Sequence, residues 1–281
     1  MGDATTALTP PGVTVLGNLA IDRIDGAAPS PGGAPSFVAP ALAHAGGGRI
    51  VARAASADND FFAGIVDAAA GVPFDLVAGA STAAFSMRYA GDHRVMAVDA
   101  IGPSWEAATI RAACVSTAWV HLAALLRSDF TPGALAELAA AGTRIAFDGQ
   151  GLVRAARTGP LVTDDAFDPA LLAHVDLLKL ADDEAAVLAG GAPFDLVDAA
   201  RLGVPEIIVT AGSHGSTIYL AGEVISVAPP FRVEGVHATG AGDTFTVSYV
   251  AARASGESPA AAAELASQFV AELLLVRKDL G

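Results

Sequence analysis

Short apolar runs rich in β-branched residues alternate along this chain with alanine-rich segments of helical period. The first three runs are residues 13–16, 50–54 and 74–78, and the helical segments 34–45 and 58–70 lie between them. Apolar runs of this length are typical of buried strands, and a helix after each strand brings the next strand in parallel. The pattern therefore predicts an α/β fold with a mostly parallel central sheet and helices on both faces.

The same alternation resumes after Trp105 and continues to the end of the chain. Further strands are predicted at 118–122, 144–148, 175–180 and 206–210, followed by an antiparallel pair at 216–220 and 224–227. Further helices are predicted at 131–141, from Asp168 onward, and at 182–188, 194–202, 241–254 and 259–276. With no repeat or linker in view, residues 1–281 are expected to form a single domain.

Two segments interrupt the alternation in the first third of the chain. Residues 20–33 carry polar and turn residues with little helical period, and residues 83–99 alternate around the sequence Ala90-Gly91-Asp92. Alternation on both sides of such a turn predicts a β-hairpin.

Composition limits the partners. The net charge is −14 over 281 residues, which argues against a nucleic-acid or anionic-membrane surface because phosphate contacts need clustered Lys and Arg. Hydrophobic residues make up 53% of the chain, yet we expect no segment that crosses a membrane and therefore a soluble protein. No basic residue precedes Arg23 and Cys114 is the single cysteine, so a reducing cytoplasm is expected. The histidines are scattered along the sequence without metal-ligand spacing, so we do not expect a structural zinc site.

The sequence A-T-G-A-G-D-T-F at residues 238–245 leads into a predicted helix. Gly240 and Gly242 allow a tight turn and close approach to the backbone, and the N–H groups at a helix start form an anion site. Asp243 lies inside that site. Because a carboxylate beside bound phosphate is unfavourable, its presence indicates a chemical role, namely to accept a proton from a hydroxyl that attacks a phosphoryl group.

At these residues the chain resembles the ribokinase-like (PfkB) family of carbohydrate kinases. The resemblance implies a ribokinase-like three-layer sandwich with a small β lid built from about residues 20–33 and 83–99. It also implies that Asp243 is the catalytic base and that the amides of Gly240, Ala241 and Gly242 form the anion hole. ATP and Mg²⁺ would be the cofactors, and a homodimer through the lid is possible.

On the substrate side, the resemblance covers the first strand end and a nearby G-G turn. It implies substrate contacts from Asn18 and Asp22, and from the backbone at Gly32 and Gly33. Phe37 stands where the family usually has Asn, which removes a polar contact and puts ribose or fructose in doubt.

The D-x-Q-G-x-x-R run that follows the strand 144–148 resembles a branch of the family that includes myo-inositol kinases. Gln150 and Arg154 would hydrogen-bond a polyol or brace the phosphates, although Arg154 could instead pair with Asp148. Arg88 in the lid hairpin is a further cation for closing over the substrate.

On the nucleotide side, the resemblance implies contacts from the T-x-G-x-x-G turn and neighbouring residues. The nucleotide-binding residues would be Lys179, Thr210, Gly212, Gly215 and Thr239. The family's N-x-x-E motif appears here as A-D-D-E at residues 181–184. Glu184 would position Mg²⁺ through water. Ala181 replaces the Asn of the motif, and Asp182, one residue further on, could take over its role.

These features predict a kinase that transfers the γ-phosphoryl group of ATP to a hydroxyl of a sugar or cyclitol, with a myo-inositol-like polyol favoured. A nucleoside kinase is the alternative, because Phe37 and Phe85 could stack on a base. A non-catalytic nucleotide- or sugar-binding protein on the same fold also stays open. A P-loop and a G-x-S-x-G nucleophile motif do not occur in the sequence.

Overall fold

The structure is a computed structural model that describes residues 12–69, 71–90, 93–113, 115–233 and 238–280. Cys114 and the turn residues Gly91 and Asp92 lie outside these ranges.

The main sheet has nine strands in the order β14-β13-β12-β11-β9-β8-β1-β4-β5, of which β12 to β5 run parallel. Its strands are β1 Val13–Asn18, β4 Arg49–Ala55, β5 Phe74–Gly79, β8 Trp119–Ala123, β9 Arg144–Asp148, β11 Leu177–Ala181, β12 Glu206–Thr210, β13 Ser216–Leu220 and β14 Glu223–Val227. The antiparallel pair β13 and β14 forms one edge, as predicted.

Helices cover both faces of this sheet. They are α1 Ala39–His44, α2 Asn59–Ala68, α3 Ala107–Ala112, α4 Pro132–Ala140, α5 Gln150–Val153, α6 Asp182–Leu188, α7 Leu196–Leu202, α8 Ala241–Ala254 and α9 Pro259–Leu280. One core packs α1, α2, α8 and α9 on one face, and a second packs α3, α4, α6 and α7 on the other. Each large buried aliphatic or aromatic side chain in these cores contributes about 1.5–3 kcal/mol.

The helix prediction for residues 34–45 is only partly correct. A 3-10 turn, Ala34–Ser36, precedes α1, and Gly33 before it has φ 82°. This irregular start arises because the chain bends at Gly33, where any Cβ would lie 2.4 Å from the Asn18 carbonyl oxygen. The segment after Asp168 is also a 3-10 helix, Pro169–His174, and the Asp168 carboxylate caps it by accepting from the Ala170 amide.

A second sheet of five strands lies beside the carboxyl ends of the main sheet, in the order β10-β7-β6-β2-β3. Its strands are β2 Ala20–Ile24, β3 Ser30–Gly32, β6 Ala83–Ala90, β7 His93–Ala100 and β10 Gly159–Pro160. Four of these strands come from the segments 20–33 and 83–99, and β10 adds a third segment that the sequence did not indicate. One face is apolar, with Phe85, Met87 and Val98 buried against Leu125 and Leu126.

Helix α9 differs from the expectation that no segment would be long and apolar enough to cross a membrane. By length and composition Pro259–Lys278 meets that criterion, although only 22% of the window is buried. In this fold its alanines Ala262, Ala263 and Ala266 are fully buried in the core that contains α8.

Candidate active site

Two pockets meet at the start of α8. The first, a cavity of about 350 Å³, lies between the main sheet and the small sheet, and we call it the acceptor cavity. The second, of about 260 Å³, lies between α8, α9 and the turn after β12, and we call it the donor pocket. Ala238 and Gly242 line both, so a ligand in either pocket touches the same turn of the chain.

The turn into α8 has the geometry that the two glycines predicted. Gly240 adopts the left-handed conformation with φ 75° and ψ 1°, and α8 begins at the next residue. The Ala241 amide donates to the Ala238 carbonyl at 3.0 Å and closes this turn. In this structure the Ala241 N–H is thus used within the turn, and the anion hole formed by the amides of Gly240, Ala241 and Gly242 stays a prediction.

Phe37 contacts this turn directly. A Cβ on Gly240 would lie 2.4 Å from Cγ of Phe37, so the ring packs on the glycine backbone with no room for a side chain. Phe37 also lines the acceptor cavity beside Gly33. From the sequence, Phe37 was interpreted only as the loss of the polar contact that the family's Asn makes. In the structure its ring packs against the turn into α8 and supports it.

Asp243 lines the acceptor cavity in the first turn of α8. Burial, together with the nearby Asp148 carboxylate, raises its pKa to about 6, against the opposing effects of Lys179, His121 and Arg154. A carboxylate with this pKa is ionised at neutral pH and is a stronger base than an exposed aspartate.

Lys179 lies under the same turn, in the middle of β11. Its Nζ is 3.6 Å from the position of a Cβ on Gly242 and 3.9 Å from Oδ1 of Asp148. Burial alone would lower its pKa, but Glu184, Asp148 and Asp243 hold the pKa above its usual value. A charged ammonium is therefore held at the junction of the two pockets.

Several predicted substrate residues line the acceptor cavity: Asp22, Gly33, Gln150 and Arg154. The Oε1 atom of Gln150 is buried and accepts no hydrogen bond within the described part of the chain. Because buried polar atoms are normally paired, this oxygen is suited to accept from a ligand hydroxyl or N–H group. Gly32 lies behind Asp22, whose Oδ2 would be 2.1 Å from any Cβ at that position.

Two predicted substrate residues do not line the cavity. Asn18 is fully buried, where its amide donates to the Pro103 carbonyl and accepts from the Trp105 indole. Arg88 is exposed on β6, because side chains alternate along a strand and its neighbours Phe85 and Met87 take the cavity face. These two predictions of direct contact are wrong.

The nucleotide-side predictions separate into two groups. Thr210, Gly212 and Gly215 line the donor pocket together, and their contact with a nucleotide stays a prediction. Thr239 lines the acceptor cavity instead, and its carbonyl accepts from Arg277 at 2.9 Å. Lys179 likewise reaches the acceptor cavity rather than the donor pocket.

Glu184 is buried at the start of α6, and burial raises its pKa despite the nearby Lys179. Its Oε2 accepts a hydrogen bond of 2.8 Å from the backbone amide of Ala181, the residue that replaces the family's Asn. Asp183 lines the cavity beside it, while Asp182 does not, so the predicted substitute for the Asn is one residue out of place.

The sequence did not indicate most of the apolar wall of the cavity, nor the pairing of His121 with Asp148 beneath it. Met87, Met96 and Leu125 join Phe37 and Phe85 as its apolar wall. His121 and Asp148 lie buried under Lys179, joined by a contact of 3.0 Å between Nε2 and Oδ2. A histidine within the predicted strand 118–122 was the one available signal, because a polar residue in a buried strand needs a partner.

Comparisons with known proteins bear on the family and the fold of this chain. A family profile described as "pfkB family carbohydrate kinase" matches residues 29–277. No curated protein matched the chain. The solved structures that share the ribokinase-like α/β fold include three kinases.

The first is a pyrophosphate-dependent kinase in the ribokinase family, complexed with a pyrophosphate analog and myo-inositol. It has 21% identity and a TM-score of 0.78, over 95% of this chain and 98% of that one. The second is Arabidopsis thaliana ribokinase complexed with ribose and ATP, at 19% identity and TM-score 0.68, over 96% and 94%. The third is Burkholderia thailandensis nucleoside kinase in complex with inosine, at 21% identity and TM-score 0.70, over 94% and 90%.

Proposed function

The chain belongs to the pfkB family of carbohydrate kinases, and we propose that it transfers the γ-phosphoryl group of ATP to a hydroxyl of a myo-inositol-like polyol. The observation that carries this proposal is the position of Asp243. Its carboxylate lines the acceptor cavity in the first turn of α8, where the donor pocket also ends.

The proposed reaction needs three groups of this chain. Asp243 takes the proton of the attacking hydroxyl, whose oxygen forms a bond to the γ-phosphorus while the bond to the ADP oxygen breaks. The amide of Gly242 and the ammonium of Lys179 stabilise the negative charge on the transferring group. Lys179 is suited to this because its Nζ lies beneath the glycine turn.

The polyol is supported by the polar side of the acceptor cavity. Asp22 accepts hydrogen bonds from hydroxyl groups, Gln150 presents an unpaired Oε1, and Arg154 adds a cation. Among the solved relatives, the pyrophosphate-dependent kinase carries myo-inositol by its description. The apolar face of the small sheet would close over this ligand as a lid and exclude water.

A nucleoside triphosphate donor is supported by the second pocket. Its walls are mainly apolar, including Val233, Val270 and Leu274, which suits a purine better than a bare pyrophosphate. The similarity to a pyrophosphate-dependent kinase makes pyrophosphate the donor to test against ATP.

Mg²⁺ would be carried by the donor phosphates and supply further neutralisation of their charge. The described residues contain no cluster of three or more His, Cys, Asp or Glu side chains arranged for a metal. Asp183 and Glu184 both line the cavity, and two carboxylates of this kind fit a hydrated Mg²⁺ held through its water ligands.

A nucleoside acceptor is the second candidate, and the apolar wall of the cavity favours it. Phe37, Phe85, Met87 and Met96 would pack on a base, whereas a cyclitol has little apolar surface to offer them.

A coupled assay with Mg²⁺ tests these proposals. It measures turnover of myo-inositol, ribose, fructose, adenosine and cytidine, each with ATP and with pyrophosphate. We expect turnover of myo-inositol with ATP. Turnover of adenosine or cytidine alone would establish the second candidate, and ligand binding without turnover of any acceptor would contradict the kinase proposal.

A further inference from the structure

A buried histidine and a buried carboxylate lie beneath the proposed reaction centre. His121 on β8 has no exposed surface, and Asp148 at the end of β9 is 2% exposed. Neither belongs to the residues that line the acceptor cavity in the described part of the chain. Any effect they have on the reaction must therefore pass through other side chains.

The two oxygens of the Asp148 carboxylate contact different partners. Oδ2 lies 3.0 Å from Nε2 of His121, and Oδ1 lies 3.9 Å from Nζ of Lys179. Asp148 and Lys179 are register partners on the adjacent parallel strands β9 and β11. The sheet itself therefore sets the separation of the carboxylate and the ammonium, on the face that α8 covers.

Within the described part of the chain, the surroundings of His121 offer a hydrogen-bond partner to one ring nitrogen and none to the other. Its Nδ1 has no hydrogen-bond partner among the described residues, and it is buried. A proton there would be an unpaired donor in the core, which costs about 1–3 kcal/mol or more. We therefore assign a proton to Nε2, which donates it to the Asp148 carboxylate.

We propose that His121 and Asp148 are positioning residues of the phosphoryl-transfer centre. His121 orients the Asp148 carboxylate. This carboxylate holds Lys179 under the glycine turn and contributes to the electrostatic environment of Asp243. The inference rests on the proposed function for its kinetic consequences. Its structural content, the coupling of Asp148 to Asp243, can be measured without any substrate.

Four groups face Asp243 from the elements around it. Asp148 from β9 disfavours its ionised form, whereas Lys179 from β11, His121 from β8 and Arg154 after α5 favour it. Removal of the Asp148 charge should therefore let Asp243 ionise at lower pH. The same change would take one of three anionic neighbours from Lys179 and weaken its placement.

The first test is a carbon-13 NMR titration of the aspartate carboxyl groups, with the Asp243 signal assigned from Asp243→Asn. In the wild type we expect a midpoint near pH 6. In Asp148→Asn the midpoint should move to lower pH, and the acid limb of kcat/KM should move in the same direction, since the base acts in its deprotonated form. An unchanged Asp243 midpoint in Asp148→Asn would overturn the inference.

The second test compares variants of His121. His121→Phe removes the donor to Asp148 and should lower kcat about 10-fold to 100-fold, as the loss of an outer-shell partner does at other sites, with little change in either KM. His121→Gln can still donate and should recover most of this loss. Tyr249→Phe is the control. Tyr249 lies on α8, the helix that carries Asp243, and the variant removes a buried hydrogen bond to the Glu206 carboxylate at a position away from the cavity.

Equal losses in His121→Phe, His121→Gln and Tyr249→Phe, in proportion to lost thermal stability, would show a merely structural role and contradict the inference. If the wild type turns over no acceptor, the proposed function fails, while the carboxyl titration still decides the coupling.

Discussion

The two pockets at the start of α8 share a turn of backbone but differ in what lines them. Six ionisable side chains line the acceptor cavity: Asp22, Arg154, Lys179, Asp183, Glu184 and Asp243. Of the described residues that line the donor pocket, Arg232 is the one with a charged side chain. Charge is concentrated on the side where we propose that bonds form and break.

This difference assigns separate tasks to the two sides. Buried charges are costly unless they are paired, so we expect the paired cluster under Asp243 to serve the proposed reaction rather than stability. The apolar walls of the donor pocket are expected to orient the phosphate donor without acting on the transferring phosphoryl group. Changes in the acceptor cavity should therefore alter kcat or the KM of the acceptor, and changes in the donor pocket should alter the KM of the donor.

The largest effect is expected from Asp243→Asn. Loss of a general base should lower kcat about 100-fold to 10,000-fold, with donor binding retained. Steady-state turnover measures the loss. Asp60→Asn is the matched control, because Asp60 also lies in the first turn of a helix, α2, but is exposed. Turnover by Asp243→Asn at the wild-type rate would remove Asp243 from the mechanism.

The next effect is expected from Gly240→Ala. The new Cβ would lie 2.4 Å from Phe37 Cγ, so the turn must move, and a shift of about 1 Å in a reaction centre can cost about 100-fold in rate. Gly142→Ala places alanine at nearly the same backbone angle, φ 78°, with nothing within 4 Å of its Cβ.

Both variants should lose about 1–2 kcal/mol of stability for the left-handed conformation on thermal unfolding, and Gly240→Ala should lose more because of the contact with Phe37. Only Gly240→Ala should lose activity. If both keep full activity, the turn does not position the transferring group.

A smaller effect is expected from Gln150→Leu. The variant cannot accept from the acceptor hydroxyl, so the acceptor KM should rise about 10-fold, as expected for the loss of one buried hydrogen bond. The KM of the donor serves as the internal control and should not change. An unchanged acceptor KM would show that the unpaired Oε1 of Gln150 faces no ligand group.

The fold was largely predictable because it depends on local periodicity. Strands such as β9 and β12 and helices such as α6 and α8 have the predicted bounds, since each contains apolar residues at the spacing of its own secondary structure. Strand β10, with two residues, has no period to detect, and its pairing with β7 depends on tertiary contact.

The site was less predictable, for two physical reasons. Side-chain direction decided the errors at Arg88 and Asn18, because a residue next to a motif can point to the other face of its strand or into the core. Contacts between distant segments decided the others: Phe37 on Gly240, and His121 on Asp148, join residues far apart in the chain.

The most direct test of the division between the two pockets is a comparison of Ala271→Phe with Asp243→Asn. Ala271 lines the donor pocket and is 6% exposed, so a phenyl ring there would fill it. With the best acceptor, turnover is measured for both variants and the wild type as a function of ATP and of pyrophosphate concentration. We expect the wild type to prefer ATP, and Ala271→Phe to raise the KM of ATP about 10-fold at nearly unchanged kcat. Asp243→Asn should lose kcat with whichever donor the wild type uses. Turnover with pyrophosphate but not ATP, or an equal loss of kcat in both variants, would contradict the account.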